Sequence, residues 1–212
     1  MKVIILGAAG QIGKMVTDDL LAQTDFDLVL YGRNVSSQLS AKASSRVLFV
    51  DGHFKELDKI KEHLVDVDAV YLNFVAEDDF IKSLVEVLEE SNVTRFIAAS
   101  VPDLYQEVTG EFQEWYRANT GIMWTASPRK AADIIEASKL DYVILRITWL
   151  YNENGNTALH VTKKGEPFVE AQVTRQAVAQ FVTDLLIGKA DYHQESLGLG
   201  EPDTEFPKPS FF

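Results

Sequence analysis

Cysteine is absent from this sequence of 212 residues. That excludes a disulfide scaffold, a thiolate metal site and a cysteine nucleophile together. Basic charge is scarce: 20 Lys and Arg stand against 32 Asp and Glu, a formal net charge of -12. Such a surface repels phosphate backbones and anionic lipid, so neither a nucleic-acid nor a membrane partner is expected. Long apolar runs are missing too. No stretch reaches the roughly 20 residues of a membrane helix. The opening run Met1–Leu6 breaks at Gly7, and no small-residue cleavage site follows it. A cytoplasmic location is the expectation. His53, His63, His160 and His193 show no ligand spacing with one another or with a carboxylate cluster, so no metal site is expected.

What is present is alternation. Val3–Leu6 is a continuous apolar run, as in a strand covered on both faces. From Gln11 the period changes, and Ile12, Val16 and Leu20 share one helical face. Further strands are predicted over 27–31, 47–50, 69–73, 95–99 and 141–147, with a helix over 55–64 and another carrying Ile81, Leu84, Val85 and Leu88. Ser127-Pro128 reads as an N-cap and first-turn proline of a helix running to about Ser138, and Thr174 as the cap of a last helix. Segments 101–126 and 148–173 read as irregular and rich in aromatics.

Six strands alternating with helices require crossovers, hence a parallel sheet with helices on both faces. The predicted fold is a doubly wound α/β Rossmann sheet. One domain is expected over 1–212, with a core to about residue 150 and an integrated substrate-side segment over about 151–212.

Gly7-Ala8-Ala9-Gly10-Gln11-Ile12-Gly13 stands directly between the first strand and the first helix. In that context the glycines allow a tight turn, close approach of a pyrophosphate, and close packing of the helix. The N–H groups opening the helix then hold the anion. Gly7, Ala9, Gly10, Gln11, Ile12 and Gly13 are therefore expected to bind a dinucleotide. The second strand ends Tyr31-Gly32-Arg33 without the carboxylate that grips a ribose diol. Arg33 suits a ribose 2′-phosphate, assisted by Asn34, so NADP(H) is favoured over NAD(H); a solvated loop arginine is the competing reading. Asp51, before Gly52, suits the adenine amino group or simply a turn. Asn73, Phe74 and Val75 are expected along the adenosine and pyrophosphate.

The spacing of these glycines, Gly32-Arg33, and Ser100 closing the fifth strand resemble the short-chain dehydrogenase/reductase superfamily. Leu140-Asp141-Tyr142-Val143-Ile144-Leu145-Arg146 and Val173-Thr174-Arg175-Gln176-Ala177-Val178-Ala179 resemble its atypical NAD(P)H-binding branch, which includes NmrA-like proteins and flavin or biliverdin reductases. The resemblance runs to about residue 200. It implies bound NADP(H) with the nicotinamide near Ser100, Lys130 and the loop after the sixth strand. In the wider superfamily a tyrosine four residues before a lysine is the general acid. Lys130 matches the lysine, but Ala126 stands at the tyrosine's place and has no proton to give. Pro128 starts the helix near Ser127, which leaves position 126 outside it. Tyr105 and Tyr116 are alternative proton donors, against the plainer reading of packed loop tyrosines. Trp115, Trp124 and Trp149 either stack on a planar substrate or pack beneath the loops.

Two functions remain open. One is an NADPH-dependent reductase of a small planar or electrophilic molecule, flavin- or quinone-like, working without the tyrosine. The other is a non-catalytic dinucleotide sensor acting through a regulatory protein partner. A homo-oligomer is a further possibility. Residues 203–212, ending Phe211-Phe212, pack either on the body or on another subunit.

Overall fold

The apolar runs and helical periods resolve into ten strands and seven α-helices in the computed structural model, which describes residues 1–212. In chain order they are β1 (Lys2–Leu6), α1 (Gln11–Gln23), β2 (Asp27–Gly32), α2 (Val35–Gln38), β3 (Val47–Asp51) and α3 (Leu57–Glu62). Then come β4 (Ala69–Leu72), α4 (Asp78–Glu89), β5 (Arg95–Ser100), α5 (Phe112–Thr120), α6 (Ser127–Glu136) and β6 (Asp141–Ile147). The chain closes with β7 (Trp149–Tyr151), β8 (His160–Thr162), β9 (Gln172–Thr174), α7 (Arg175–Leu186) and β10 (Glu195–Gly200).

Eight strands form one sheet in the order β3-β2-β1-β4-β5-β6-β10-β8. All neighbours are parallel except β8, which runs antiparallel to β10 on the outer edge. The order reverses direction at β1 and β4, the switch point where such sheets open a crevice beyond the strand ends. Every residue of β4 is buried, as is β1 from Val3 onward. Helices on both faces remove the polar alternation that a one-sided sheet would show.

The two faces have separate cores. On one, Val16 and Leu20 of α1 meet Val178 and Val182 of α7. On the other, Leu84 and Leu88 of α4 meet Ile135 of α6 and Ile60 of α3. Each of these leucines contributes about 2 kcal/mol by leaving water. A smaller third cluster joins Phe112 and Tyr116, four apart on α5, with Val108, Phe168 and Ala171.

That third cluster corrects the expectation of irregular structure over 101–126 and 148–173. The first segment holds α5, and the second holds β8 and the two-stranded parallel pair β7–β9. Buried ion pairs organise the first. Arg146 of β6, fully buried, pairs with Glu107. The Glu107 carboxylate also accepts the N–H of Asp103 at 3.0 Å and of Tyr105 at 2.8 Å. Asp103 in turn takes the Arg117 guanidinium through two bonds of 2.7 and 3.0 Å.

Other boundaries shift for local reasons. The helix expected over 55–64 spans only Leu57–Glu62. Ser127 is not an N-cap: Ala126 occupies that position, and the Ser127 hydroxyl instead joins α4, donating to the Asp78 carboxylate at 2.6 Å and accepting its N–H at 2.8 Å. Thr174 does cap α7, accepting from Ala177 N–H at 3.0 Å. The segment 203–212 packs on the body. Ser210 N–H donates to Gln172 at 2.8 Å, Phe211 stacks on Tyr151 with centroids 5.6 Å apart, and Phe212 meets Trp115 edge-on at 5.2 Å.

Candidate functional site

The turn after β1 is built around one side chain that is not in it. Gly7 adopts φ +89°, in the left-handed region, so that its N–H and that of Ala8 both reach the carbonyl of Tyr31 on β2 at 2.9 and 3.2 Å. The Gly7 carbonyl then receives Gly10 N–H at 3.0 Å and the Asn73 side-chain amide at 3.0 Å. A Cβ on Gly10 would fall 2.6 Å from that amide nitrogen, and one on Gly13 2.8 Å from it and 2.9 Å from the carbonyls of Gly7 and Ala8. Two glycines are needed because the Asn73 amide fills the centre of the loop. Asn73 is oriented by Tyr71, whose hydroxyl donates to its carbonyl oxygen at 2.8 Å.

Beyond this turn lies a cleft of about 440 Å³ whose lining includes Gly7, Ala9, Gly10, Arg33, Asn34 and Phe74. Asn34, with φ 52°, turns the chain from β2 into α2 and sets Arg33 at the rim. Arg33 is exposed and no carboxylate pairs with its guanidinium. The wall carries Phe74 against Phe54, ring centroids 4.0 Å apart and tilted by 30°. Phe54 escaped sequence reasoning because its pairing depends on two loops distant in sequence.

Asp51, at the end of β3, is engaged by the chain itself. Its carboxylate accepts the Ser36 N–H at 3.0 Å and the Ser36 hydroxyl, and these bonds hold its pKa below the ordinary carboxylate value. It ties down α2 beside the cleft. Gly52 faces Tyr31: a Cβ there would lie 2.3 Å from the Tyr31 hydroxyl, so packing alone accounts for this glycine.

The residues expected at the nicotinamide end differ in exposure. Ser100 is buried at the end of β5, lining a narrow hollow with Val75 and Pro128. Lys130 is exposed on α6, and its charge helps hold the Asp78 pKa down after the larger effect of the Ser127 hydroxyl. Ala126 has extended backbone and lies outside α6, as the proline implied. Tyr105 already has partners of its own. Its hydroxyl donates to Glu136 at 2.6 Å and contacts Ser196 Oγ at 3.1 Å, while burial and the Glu136 carboxylate push its pKa up. A phenol already donating to a carboxylate is a poor acid for a substrate. Tyr116 is also packed, donating to the Pro102 carbonyl at 2.9 Å. Trp149 lies edge-on to Trp115 at 5.0 Å, and Trp124 lies 4.7 Å beneath the Arg117 guanidinium. These tryptophans pack together with their neighbours.

A larger groove of about 610 Å³ lies among Met1, Asp27, Val47 and Asp68. It sits at the N-terminal ends of the strands, away from the crevice and the glycine turn.

A doubly wound sheet with this turn at its switch point defines a dinucleotide-binding Rossmann protein. The chain belongs to the NAD(P)H-binding family, whose model matches residues 7–188. It is 33% identical to a short-chain dehydrogenase/reductase from Veillonella parvula solved in complex with NADP, with 99% of each chain covered and a TM-score of 0.92. A Rossmann-fold NAD(P)-binding family protein from Shigella flexneri is 27% identical, with 100% and 98% covered and a TM-score of 0.81. The UPF0659 protein YMR090W of Saccharomyces cerevisiae is 24% identical over 206 residues, 88% of this chain and 87% of the relative. No helix is long and apolar enough to cross a membrane.

Proposed function

We propose that this protein is an NADP(H)-dependent reductase of a small planar or electrophilic acceptor, flavin- or quinone-like, whose proton comes from solvent. The observation that carries the reading is Arg33, exposed at the cleft rim with no carboxylate to neutralise it. A free guanidinium there suits a ribose 2′-phosphate. The NADP in the Veillonella parvula relative supports the same choice.

The glycine turn would hold the pyrophosphate, and the paired rings of Phe54 and Phe74 give the adenine a flat wall. Ser100 and Lys130 are the residues proposed to meet the nicotinamide end. When bound, the reduced nicotinamide supplies hydride. With Ala126 at the helix entrance and Tyr105 bonded to Glu136, neither position offers a free phenol. An acceptor that protonates from water needs none.

Titrating with NADPH and with NADH, followed by nicotinamide fluorescence, tests the cofactor choice. Wild type is expected to favour NADPH, and Arg33→Ala to erase that preference at a cost of about 1.5–3 kcal/mol. Equal affinities in the wild type sink it. Oxidation of NADPH across a panel of flavins and quinones tests turnover, and none anywhere on the panel rejects the reductase. The same missing phenol favours a second reading, a dinucleotide sensor acting through a protein partner. It requires that the partner distinguish loaded from empty protein in a pull-down.

A further inference from the structure

The chain has seven arginines, and five of them are spoken for. Arg95, Arg117, Arg129 and Arg146 pair with Asp141, Asp103, Asp133 and Glu107. Arg46 donates to the carbonyls of Leu21, Thr24 and Phe26. Only Arg33 and Arg175 have neither partner, in a chain with 32 acidic residues. Both stand at the glycine-turn end of the sheet.

Arg175 is the first residue of α7, the helix that packs beside α1. Its guanidinium donates to the Asn152 side-chain oxygen at 3.3 Å, and the Asn152 amide reaches the Gln11 side chain at 3.5 Å. Gln11 opens α1 directly after the glycine turn. Neutral amides alone therefore link this cation to the place where a pyrophosphate is held, and most of its N–H donors are unspent. Partial burial disfavours its charge, and no carboxylate offsets that cost. Arg33 follows β2, on one side of β1 in the sheet, whereas Arg175 follows β9, whose partner β7 continues from β6 on the other side.

We propose that Arg175 is a second anion clamp, pairing with the dinucleotide pyrophosphate from the side of the glycine turn opposite Arg33. The proposal rests on the dinucleotide binding of this family and is independent of the choice between NADP(H) and NAD(H). Arg33 reads which dinucleotide is present; Arg175 holds the part that both share.

The test compares wild type, Arg175→Gln and Arg175→Lys for binding of NADPH, NADH and adenosine 2′-monophosphate, which has no pyrophosphate. Arg175→Gln is expected to weaken both dinucleotides by a common factor of about ten, the scale of a charge-assisted hydrogen bond. Adenosine 2′-monophosphate should bind unchanged, and Arg175→Lys should recover part of the loss by keeping the charge. Unchanged dinucleotide affinity overturns the proposal, including the case in which only acceptor turnover falls. So does an equal loss of adenosine 2′-monophosphate, which would report damage to the whole cleft. A wild-type protein that binds neither dinucleotide but does bind adenosine 2′-monophosphate overturns the pyrophosphate site while leaving the Arg33 site standing.

Discussion

The Asn73 side-chain amide donates to the Gly7 carbonyl at 3.0 Å, tying the end of β4 to the turn after β1 across the sheet's switch point. With the backbone bonds to Tyr31 and within the turn, this bond lets the turn keep its shape without help from its own side chains, which are small or absent. It also makes the residue after β4 part of the glycine turn. The Tyr71 hydroxyl, 2.8 Å from the Asn73 oxygen, leaves the amide only one way to point.

Replacing Asn73 with alanine should therefore act on both stability and binding. Two half-buried hydrogen bonds are lost, and the Tyr71 hydroxyl, in a fully buried residue, is left without its acceptor. The expected cost is about 1–3 kcal/mol in urea unfolding. NADPH and NADH should weaken together, because the turn loosens beneath the part they share. Asn73→Asp should weaken binding further, since a carboxylate would face the Gly7 carbonyl and repel a phosphate. Dinucleotide affinities that match wild type in both variants would remove Asn73 from the site.

The sequence revealed the first six strands, β1 to β6, and the glycine turn because both are local signals. A buried parallel strand is an apolar run, and the turn needs glycines at fixed spacing. β10 went unassigned because Glu195–Gly200 carries two glycines, which weaken a strand signal. Those glycines answer a distant demand: a Cβ on Gly198 would lie 2.7 Å from the Phe168 ring. The same distinction separates Arg33 from Arg175. Arg33 is conspicuous beside a strand end, whereas Arg175 gains meaning only once α7 lies against α1. Ser127 looked like a cap from its neighbours in sequence, but its hydroxyl is used by Asp78, 49 residues away.

At the far end of the sheet a histidine gives a pH dependence of definite sign. The two ring nitrogens of His193 lie 2.9 Å from the Asp141 carboxylate and 3.0 Å from that of Asp191. These bonds raise its pKa above the ordinary 6.5, against a smaller opposing effect from Arg95, which also binds Asp141. A raised folded-state pKa contributes stability that is fully present below the unfolded value and is lost as pH rises through the folded one. Wild type should accordingly exceed His193→Gln in stability at pH below 6.5, and the gap should close on the alkaline side of the raised pKa. An NMR titration of the His193 ring checks the premise directly. A midpoint at or below 6.5 would refute it.

Tyr105 offers the sharpest separation of a structural from a chemical role. Its hydroxyl is held by Glu136 and Ser196, and its ring lies under the ammonium of Lys164 at 4.3 Å. In Tyr105→Phe the ring contacts persist, and Glu136 keeps its pair with Lys164 at 2.7 Å. Stability should fall by about 1 kcal/mol, the worth of one hydrogen bond. The rate of NADPH oxidation with a flavin or quinone acceptor should stay within about twofold of wild type. Loss of a general acid would instead cost about 100- to 10,000-fold. A loss of that size with an unchanged unfolding temperature would return Tyr105 to the chemistry, and would require the tyrosine to leave Glu136 when an acceptor binds.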